Sequence, residues 1–199
     1  QNYYRKYNKL KRAQGLLPKQ IAECEDNIRY LSSIEASLDA SATLAELNDI
    51  RSELVAGGWL KEKIARKGTE KPSQPFRFLA PDGTEILVGK NNYQNDRLTF
   101  KTARRDDIWL HTKDIPGSHV ILRCDGGDPS PAALELAACL AAHFSQAAGS
   151  SNVPVDYTLC RFVKKPSGSR PGFVIFTNQK TLYVTPDKNR LIALRQGEN

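Results

Sequence analysis

The chain has 199 residues, enough for one domain with a hydrophobic core and an additional segment. No apolar run reaches the roughly 18 residues of a membrane span, and the first residues contain no apolar block like that of a signal peptide, so we expect a soluble protein. The net charge of +7 is unevenly distributed: residues 1–20 carry six basic and no acidic side chains, whereas residues 21–56 carry eight acidic and two basic ones. The absence of any Met predicts a piece of a longer polypeptide.

Helical patterns occupy the N-terminal third of the chain. Side chains suited to a coiled-coil seam recur every seven residues, at Leu10, Leu17, Cys24, Leu31 and Leu38. Pro18 predicts a kink, because its ring removes a helical hydrogen bond. Thr43 and Glu46 form a capping box that begins a second helix, and Gly57 and Gly58 end it. We expect an antiparallel helical hairpin, or coiled coil, over residues 1–65.

The rest of the chain predicts a sheet domain. Residues 66–75, "RKGTEKPSQP", have the charge, Gly and Pro content of a linker, so residues 76–199 form the second domain. "FRFL" and "EILVG" flank a turn and predict a β-hairpin, and "DIWLHTK" and "SHVILR" predict two further strands. "NNYQNDRLTFKTARR" predicts one helix, and the alanine-rich stretch that Ser130 caps and Gly149 ends predicts another. Three strands close the chain. The fold class is α+β, with a mixed, mainly antiparallel sheet and two helices.

Two basic clusters indicate a polyanionic partner. In the helix predicted around residues 91–105, four cations at i, i+4, i+7 and i+8 share one side: Arg97, Lys101, Arg104 and Arg105. The second cluster lies in and around the loop "KKPSGSRPG" and contains Arg161, Lys164, Lys165 and Arg170. Both suit phosphate contacts with steep salt dependence. A solvated surface without a partner remains the alternative.

One strand is predicted to add an aromatic ring to this surface. Alternation beginning at Asp107 directs Ile108 and Leu110 to one face and Trp109, His111 and Lys113 to the other. If the aliphatic pair is in the core, the second row faces solvent, where an aromatic ring beside cations can stack on a base. Alternatively, Trp109 is a core aromatic residue.

The polar residues give little indication of catalysis or metal binding. The set His111, Asp114 and His119 matches no metal-ligand spacing, no hydrolase elbow is present, and the four cysteines lack a C-x-x-C pairing. We therefore expect no catalytic residue, no metal and no cofactor. A metal-dependent nuclease or hydrolase using those three residues is one alternative.

The amide-rich stretch "GKNNYQND" begins a helix, where an anion is favoured. A turn capped by Asn91 or Asn92 is the simpler interpretation.

The 36 residues "VGKNNYQNDRLTFKTARRDDIWLHTKDIPGSHVILR", 88–123, closely resemble the signature of the NFACT-R domain. That domain occurs in the RqcH and NEMF family, also called fibronectin-binding protein A. "NYYRKYNKLKRAQ" resembles the coiled-coil entry of the same family. Eight residues match the signature and are candidate RNA- or partner-facing positions: Lys90, Asn91, Asn92, Asn95, Asp96, Trp109, His111 and His119.

The resemblance implies a cytoplasmic ribosome-associated quality-control factor. Such proteins bind obstructed large ribosomal subunits, ribosomal RNA and alanyl-tRNA, and promote untemplated alanine tailing of stalled chains. The ribosome performs peptidyl transfer in that scheme, so the chain is expected not to be an enzyme. The acidic tip of the coiled coil is expected to meet basic ribosomal proteins, because RNA would repel it. The second alternative is a surface adhesin that binds fibronectin or fibrinogen.

Overall fold

A computed structural model of the protein describes residues 1–61, 73–124 and 126–187. These residues belong to two compact units, Gln1–Ser32 and Ser33–Asn199. Most of the predicted linker, residues 66–72, and the last twelve residues of the predicted second domain lie outside the described residues. Across the described ranges, no helix combines the length and apolar character needed to cross a bilayer.

Helix α1, Asn2–Asp39, runs without interruption past Pro18 and carries the heptad seam. Seam side chains remain exposed within the described part of the chain; the exposed fraction is 60% for Leu10 and 52% for Leu17. The second helix, α2, is Leu44–Ala56. At 1.5 Å per residue it is about 20 Å long, whereas α1 is about 57 Å long.

The start and end of α2 follow the predicted signals. Thr43 accepts a hydrogen bond from the Glu46 backbone, and the Glu46 carboxylate accepts one in return from the Thr43 backbone. The helix ends at Gly57, and Gly58 has φ 75°, a left-handed conformation that glycine adopts without steric cost.

The second unit contains a six-stranded sheet in which all neighbours are antiparallel, which confirms the α+β class. Its strands stand in the order β1-β2-β4-β3-β5-β8, and they span β1 Phe76–Leu79, β2 Glu85–Val88, β3 Ile108–Thr112, β4 Val120–Leu122, β5 Val153–Leu159 and β8 Lys180–Val184. A separate hairpin pairs β6 Val163–Lys164 with β7 Ile175–Phe176. Helix α4, Pro131–His143, is capped by Ser130 as predicted, but it ends before the predicted stop at Gly149.

Both faces of the sheet are covered. One face packs against α4 and holds the larger core, which includes Ile108 and Leu110. The opposite face forms a second core in which Trp109 and Ile121 meet Leu98 and Val163. Leu98 follows helix α3, Asn92–Arg97, and Val163 belongs to the β6–β7 hairpin. The predicted alternation along β3 is therefore confirmed, but its second face is not open to solvent.

The helix predicted over residues 91–105 is shorter and changes type. Helix α3 gives way to a π-helical turn, Leu98–Thr102, closed by a 2.8 Å hydrogen bond from the Ala103 N–H to the Leu98 carbonyl. Ala103 is extended, so Arg104 and Arg105 lie beyond the helix. The prediction that all four cations share one helical side is therefore wrong in its geometry.

Candidate nucleic-acid interface

The amide residues at the start of α3 are buried. Asn91 is the N-cap, and its side chain accepts a 2.9 Å hydrogen bond from the Gln94 backbone. The Asn92 side-chain amide donates to Glu53 Oε1 and to Ser33 Oγ, at 2.9 Å each. Both asparagines are 3% exposed. The prediction that Asn91 and Asn92 face RNA is wrong, because the Asn91 side chain caps α3 and the Asn92 amide fastens α2 and the end of α1 to the sheet domain.

The anion favoured at this helix start is supplied by the protein itself. Glu53 is fully buried, and its Oε2 accepts a 3.3 Å hydrogen bond from the Asn92 backbone N–H. A buried carboxylate requires such partners, since an unpaired buried charge is costly. No phosphate is needed to explain the amide-rich sequence.

Lys90 forms a second buried contact to α2. Its Nζ lies 2.7 Å from Glu46 Oε1 and 4.1 Å from the centroid of the Phe76 ring. Burial acts to raise the pKa of the Glu46 carboxyl, but hydrogen bonds from Lys90 and the Ala42 backbone outweigh it, and the pKa is lowered. Lys90 is thus paired with Glu46 and only 16% exposed at its side chain, and its contact with RNA stays a prediction.

Replacing Lys90 by methionine should destabilise the fold by about 3 kcal/mol at neutral pH, because it leaves the Glu46 carboxylate buried without its charged partner. In the parent chain the ionised Glu46 contributes stability above its unfolded pKa of about 4.5, and this stability is lost as the pH falls through the lower folded pKa. In the variant, burial raises that pKa, so the penalty shrinks on acidification. Urea unfolding at pH 7 and pH 4 measures both effects. Lys113→Met, at an exposed lysine, is the control, and an equal loss in both variants would contradict the assignment.

His119 lies inside the protein, with both ring nitrogens engaged. Its Nδ1 is 2.8 Å from Thr99 Oγ1 and its Nε2 is 3.1 Å from the Gly172 carbonyl oxygen. Its backbone N–H donates to Asn95 Oδ1, and Asn95 is 2% exposed. Burial lowers the pKa of His119 to about 3, so the ring is neutral at physiological pH. The predicted RNA-facing positions of Asn95 and His119 are wrong, and His119 is unavailable as a metal ligand for the nuclease alternative.

Trp109 is 1% exposed and belongs to the second core. Its ring centroid lies 4.8 Å from that of Phe176 and 5.8 Å from that of His111, which stacks on it. The prediction that Trp109 stacks on a base is wrong, because the π-helical turn and the β6–β7 hairpin cover this face. His111 is partly buried, and burial lowers its pKa; Lys113 is exposed.

The cations of the first basic cluster remain at the surface. Four side chains are exposed: Arg97, Lys101, Arg104 and Arg105. Within the ranges that the structure describes, Arg97, Lys101 and Arg105 form no salt bridge. Cationic side chains that are exposed and form no salt bridge can interact directly with an anionic ligand. Their role in binding RNA stays a prediction.

Asp96 joins the two basic clusters. Its carboxylate lies 2.5 Å from the Lys165 Nζ and accepts a 3.1 Å hydrogen bond from the Gly172 backbone. The loop between β6 and β7 is thereby fastened beside α3. Lys165 and Asp96 neutralise one another, so we assign them a structural role rather than the predicted contact with RNA.

Two other cations differ in how they are held. Lys164 is exposed on β6, where it pairs across the hairpin with the exposed Ile175. The Arg170 guanidinium carbon lies 5.5 Å from the centroid of the Trp59 ring. Lys164 is therefore available for a phosphate, whereas Arg170 is partly engaged by an aromatic ring.

Exposed aromatic rings next to these cations were missed from sequence. The exposed fraction is 48% for Tyr93, 38% for Phe100 and 47% for Phe173. Tyr93 and Phe100 stand four residues before and three residues after Arg97, a helical spacing that could have revealed them. We use the term α3 face for Tyr93, Arg97, Phe100 and Lys101.

Comparisons with known proteins identify the family of the chain. A family profile described as "NFACT protein RNA binding domain" matches residues 74–178, and one described as "NFACT N-terminal and middle domains" matches residues 1–73. The chain belongs to the NFACT family. The Rqc2 homolog RqcH of Bacillus subtilis (strain 168) is 45% identical to this NFACT chain over 201 residues, which cover 99% of the chain and 35% of that protein.

Two further relatives come from streptococci. The Rqc2 homolog RqcH of Streptococcus suis (strain 05ZYH33) is 46% identical to the NFACT chain, over 98% of the chain and 35% of that protein. The NFACT chain thus spans about a third of the length of both RqcH relatives. The solved structure of the C-terminal of the fibronectin/fibrinogen-binding protein from Streptococcus suis is 47% identical and matches with a TM-score of 0.87, over 98% of this chain and 77% of that one.

Proposed function

We propose that this chain binds RNA through the α3 face together with Arg104, Arg105 and Lys164. The observation that carries this proposal is a set of exposed cations beside exposed aromatic rings. Within the described ranges, Arg97, Lys101 and Arg105 form no salt bridge. Phosphates are bound by such cations with release of counterions, and bases are bound by such rings. The match of residues 74–178 to an RNA-binding domain supports the same conclusion.

We further propose that the chain acts within a cytoplasmic ribosome-associated quality-control factor. In this role it would contact the obstructed large ribosomal subunit, ribosomal RNA and alanyl-tRNA during untemplated alanine tailing. The similarity to RqcH proteins over nearly the whole chain supports the proposal. The chain would perform no reaction itself, since it would bind RNA while the ribosome transfers the peptide.

Co-sedimentation with large subunits that carry peptidyl-tRNA tests this role. The chain should pellet with these subunits at low salt, and the bound fraction should fall steeply as the salt concentration rises, because phosphate contacts dominate. A bound fraction that does not change with salt concentration would contradict an RNA contact through these cations. Equal binding to empty and obstructed subunits would contradict the quality-control role but leave RNA binding in place.

The acidic part of α1 provides a separate arm of the same experiment. Glu23, Glu25 and Asp26 are exposed, and RNA phosphates would repel them. We propose that they meet a basic ribosomal protein. The triple substitution of these residues by lysine should weaken co-sedimentation, and unchanged co-sedimentation would contradict this contact.

The adhesin alternative is favoured by one observation, the fibronectin/fibrinogen-binding name of the solved relative. Immobilised fibronectin and RNA can be compared directly as ligands for the same preparation. Binding to fibronectin with no measurable affinity for RNA would favour the adhesin and overturn the proposal above.

A further inference from the structure

The α3 face is set by a regular pattern of burial. Six positions along α3 and the π-helical turn point into the protein: Asn91, Asn92, Gln94, Asn95, Leu98 and Thr99. This spacing of three and four residues defines one helical side. Tyr93, Arg97 and Phe100 fall on the opposite side and are exposed. An arginine therefore lies between two aromatic rings that are on the order of 10 Å apart along the helix.

The surface under these rings is rigid. Leu98 belongs to the second core, and Thr99 Oγ1 is 2.8 Å from the buried His119 ring. Asn95 is held by the His119 backbone, so residues on both sides of Arg97 are anchored. A π-helical turn interrupts the regular helix at this point, and such turns occur frequently at functional sites. Rings on a fixed backbone are preorganised for stacking, because little conformational entropy is lost when a base binds.

The charge around the rings favours a nucleic acid over an apolar protein surface. A neutral protein partner that covered Tyr93 and Phe100 would also have to desolvate Arg97 and Lys101, which have no salt bridge in the described part of the chain. A nucleic acid strand instead brings a phosphate for each cation and a base for each ring. Paired bases hide their flat faces inside the stack, so these rings can be used only by unpaired bases.

We propose that Tyr93 and Phe100 are stacking platforms for unpaired bases, and that the ligand of the α3 face is single-stranded or looped RNA rather than a duplex. This inference rests on the proposed RNA binding and names the class of RNA that the surface takes. Arg97 and Lys101 hold the phosphates on either side of the stacked bases. Because stacking does not involve the hydrogen-bonding edges of the bases, the α3 face accepts many RNA sequences.

The test compares Tyr93→Leu and Phe100→Leu, which keep an apolar side chain and remove the flat ring. Each variant should bind a single-stranded RNA 12-mer of mixed sequence roughly 10-fold more weakly, which corresponds to about 1.4 kcal/mol. Affinity for an RNA duplex with the same number of phosphates should not change. The slope of log affinity against log salt should also stay constant, since no charge is removed.

Two controls separate stacking from folding effects. Tyr183→Leu removes an exposed ring on β8 and should leave RNA affinity unchanged. Phe100→Trp restores a flat ring and should bind the single strand at least as tightly as the parent chain, a rescue that leucine cannot provide. The melting temperatures of all variants should match, because both rings are exposed.

The outcomes distinguish this inference from the proposed function. Unchanged affinity of both leucine variants for the single strand would overturn stacking, and RNA binding would stand if Arg97→Gln with Lys101→Gln still weakens it. Equal losses for single strand and duplex would also overturn stacking. Retained RNA affinity with weaker binding to whole subunits would assign the rings to a protein partner. If the parent chain binds neither RNA, the proposed function itself fails.

Discussion

Replacing Arg97 and Lys101 together by glutamine is expected to weaken binding to single-stranded RNA about 25-fold at ~0.1 M salt. Each phosphate contact releases about 0.7 counterion on a single strand, so two lost contacts also lower the salt slope by about 1.4. Both side chains are exposed, so the fold should not change. Fluorescence anisotropy with a labelled oligonucleotide over a salt series measures both quantities.

The matched control is Arg51→Gln on α2. Arg51 is exposed, and it lies between Ile50 and Glu53 in sequence, the two buried positions of that helix nearest to it. It removes one positive charge, compared with two in the double variant, on an element that we do not assign to the interface. If the Arg51 variant lost as much affinity for single-stranded RNA as the double variant, net charge rather than the α3 face would determine the affinity.

Trp109→Ala should destabilise the fold by about 3–5 kcal/mol, the usual cost of removing a buried large aromatic side chain. The ring fills the second core between the sheet and the π-helical turn. Its Nε1–H has no hydrogen-bond acceptor among the residues described, so Trp109→Phe loses volume but no hydrogen bond and should cost much less. Chemical denaturation gives the free energies of unfolding of all three chains.

RNA affinity distinguishes a core tryptophan from a stacking one. The folded fraction of Trp109→Phe should bind RNA as the parent chain does, because position 109 does not reach the surface. A Trp109→Phe variant of unchanged stability that had lost RNA affinity would mean that the ring contacts RNA, and it would contradict the buried position.

Local patterns predicted much of the fold. The capping box at Thr43, the Ser130 cap and the alternation along β3 depend on neighbours within a few residues, and each is confirmed. The exposure of Trp109 could not be predicted in the same way. The residues that cover it, Leu98 and Phe176, come from segments 11 and 67 positions away in the sequence. An alternating strand identifies two faces but does not reveal whether the second one is covered.

The amide-rich signature failed as a predictor of the site for a related reason. Asn92 is a polar residue in a sequence typical of an exposed turn, yet its partners are Glu53 and Ser33, 39 and 59 positions earlier. Polar residues are buried when distant partners satisfy them, and no local signal reports those partners. Exposed lysine and arginine side chains were predicted more reliably, because burial of an unpaired charge is too costly.

Ultraviolet cross-linking of the chain to a uridine-containing single-stranded RNA, followed by mass-spectrometric mapping of the modified residues, would identify the residues that touch RNA. We expect cross-links at Tyr93 and Phe100 and none at Trp109. Cross-links concentrated at Trp109 and His111, with none on α3 or the π-helical turn, would contradict this expectation.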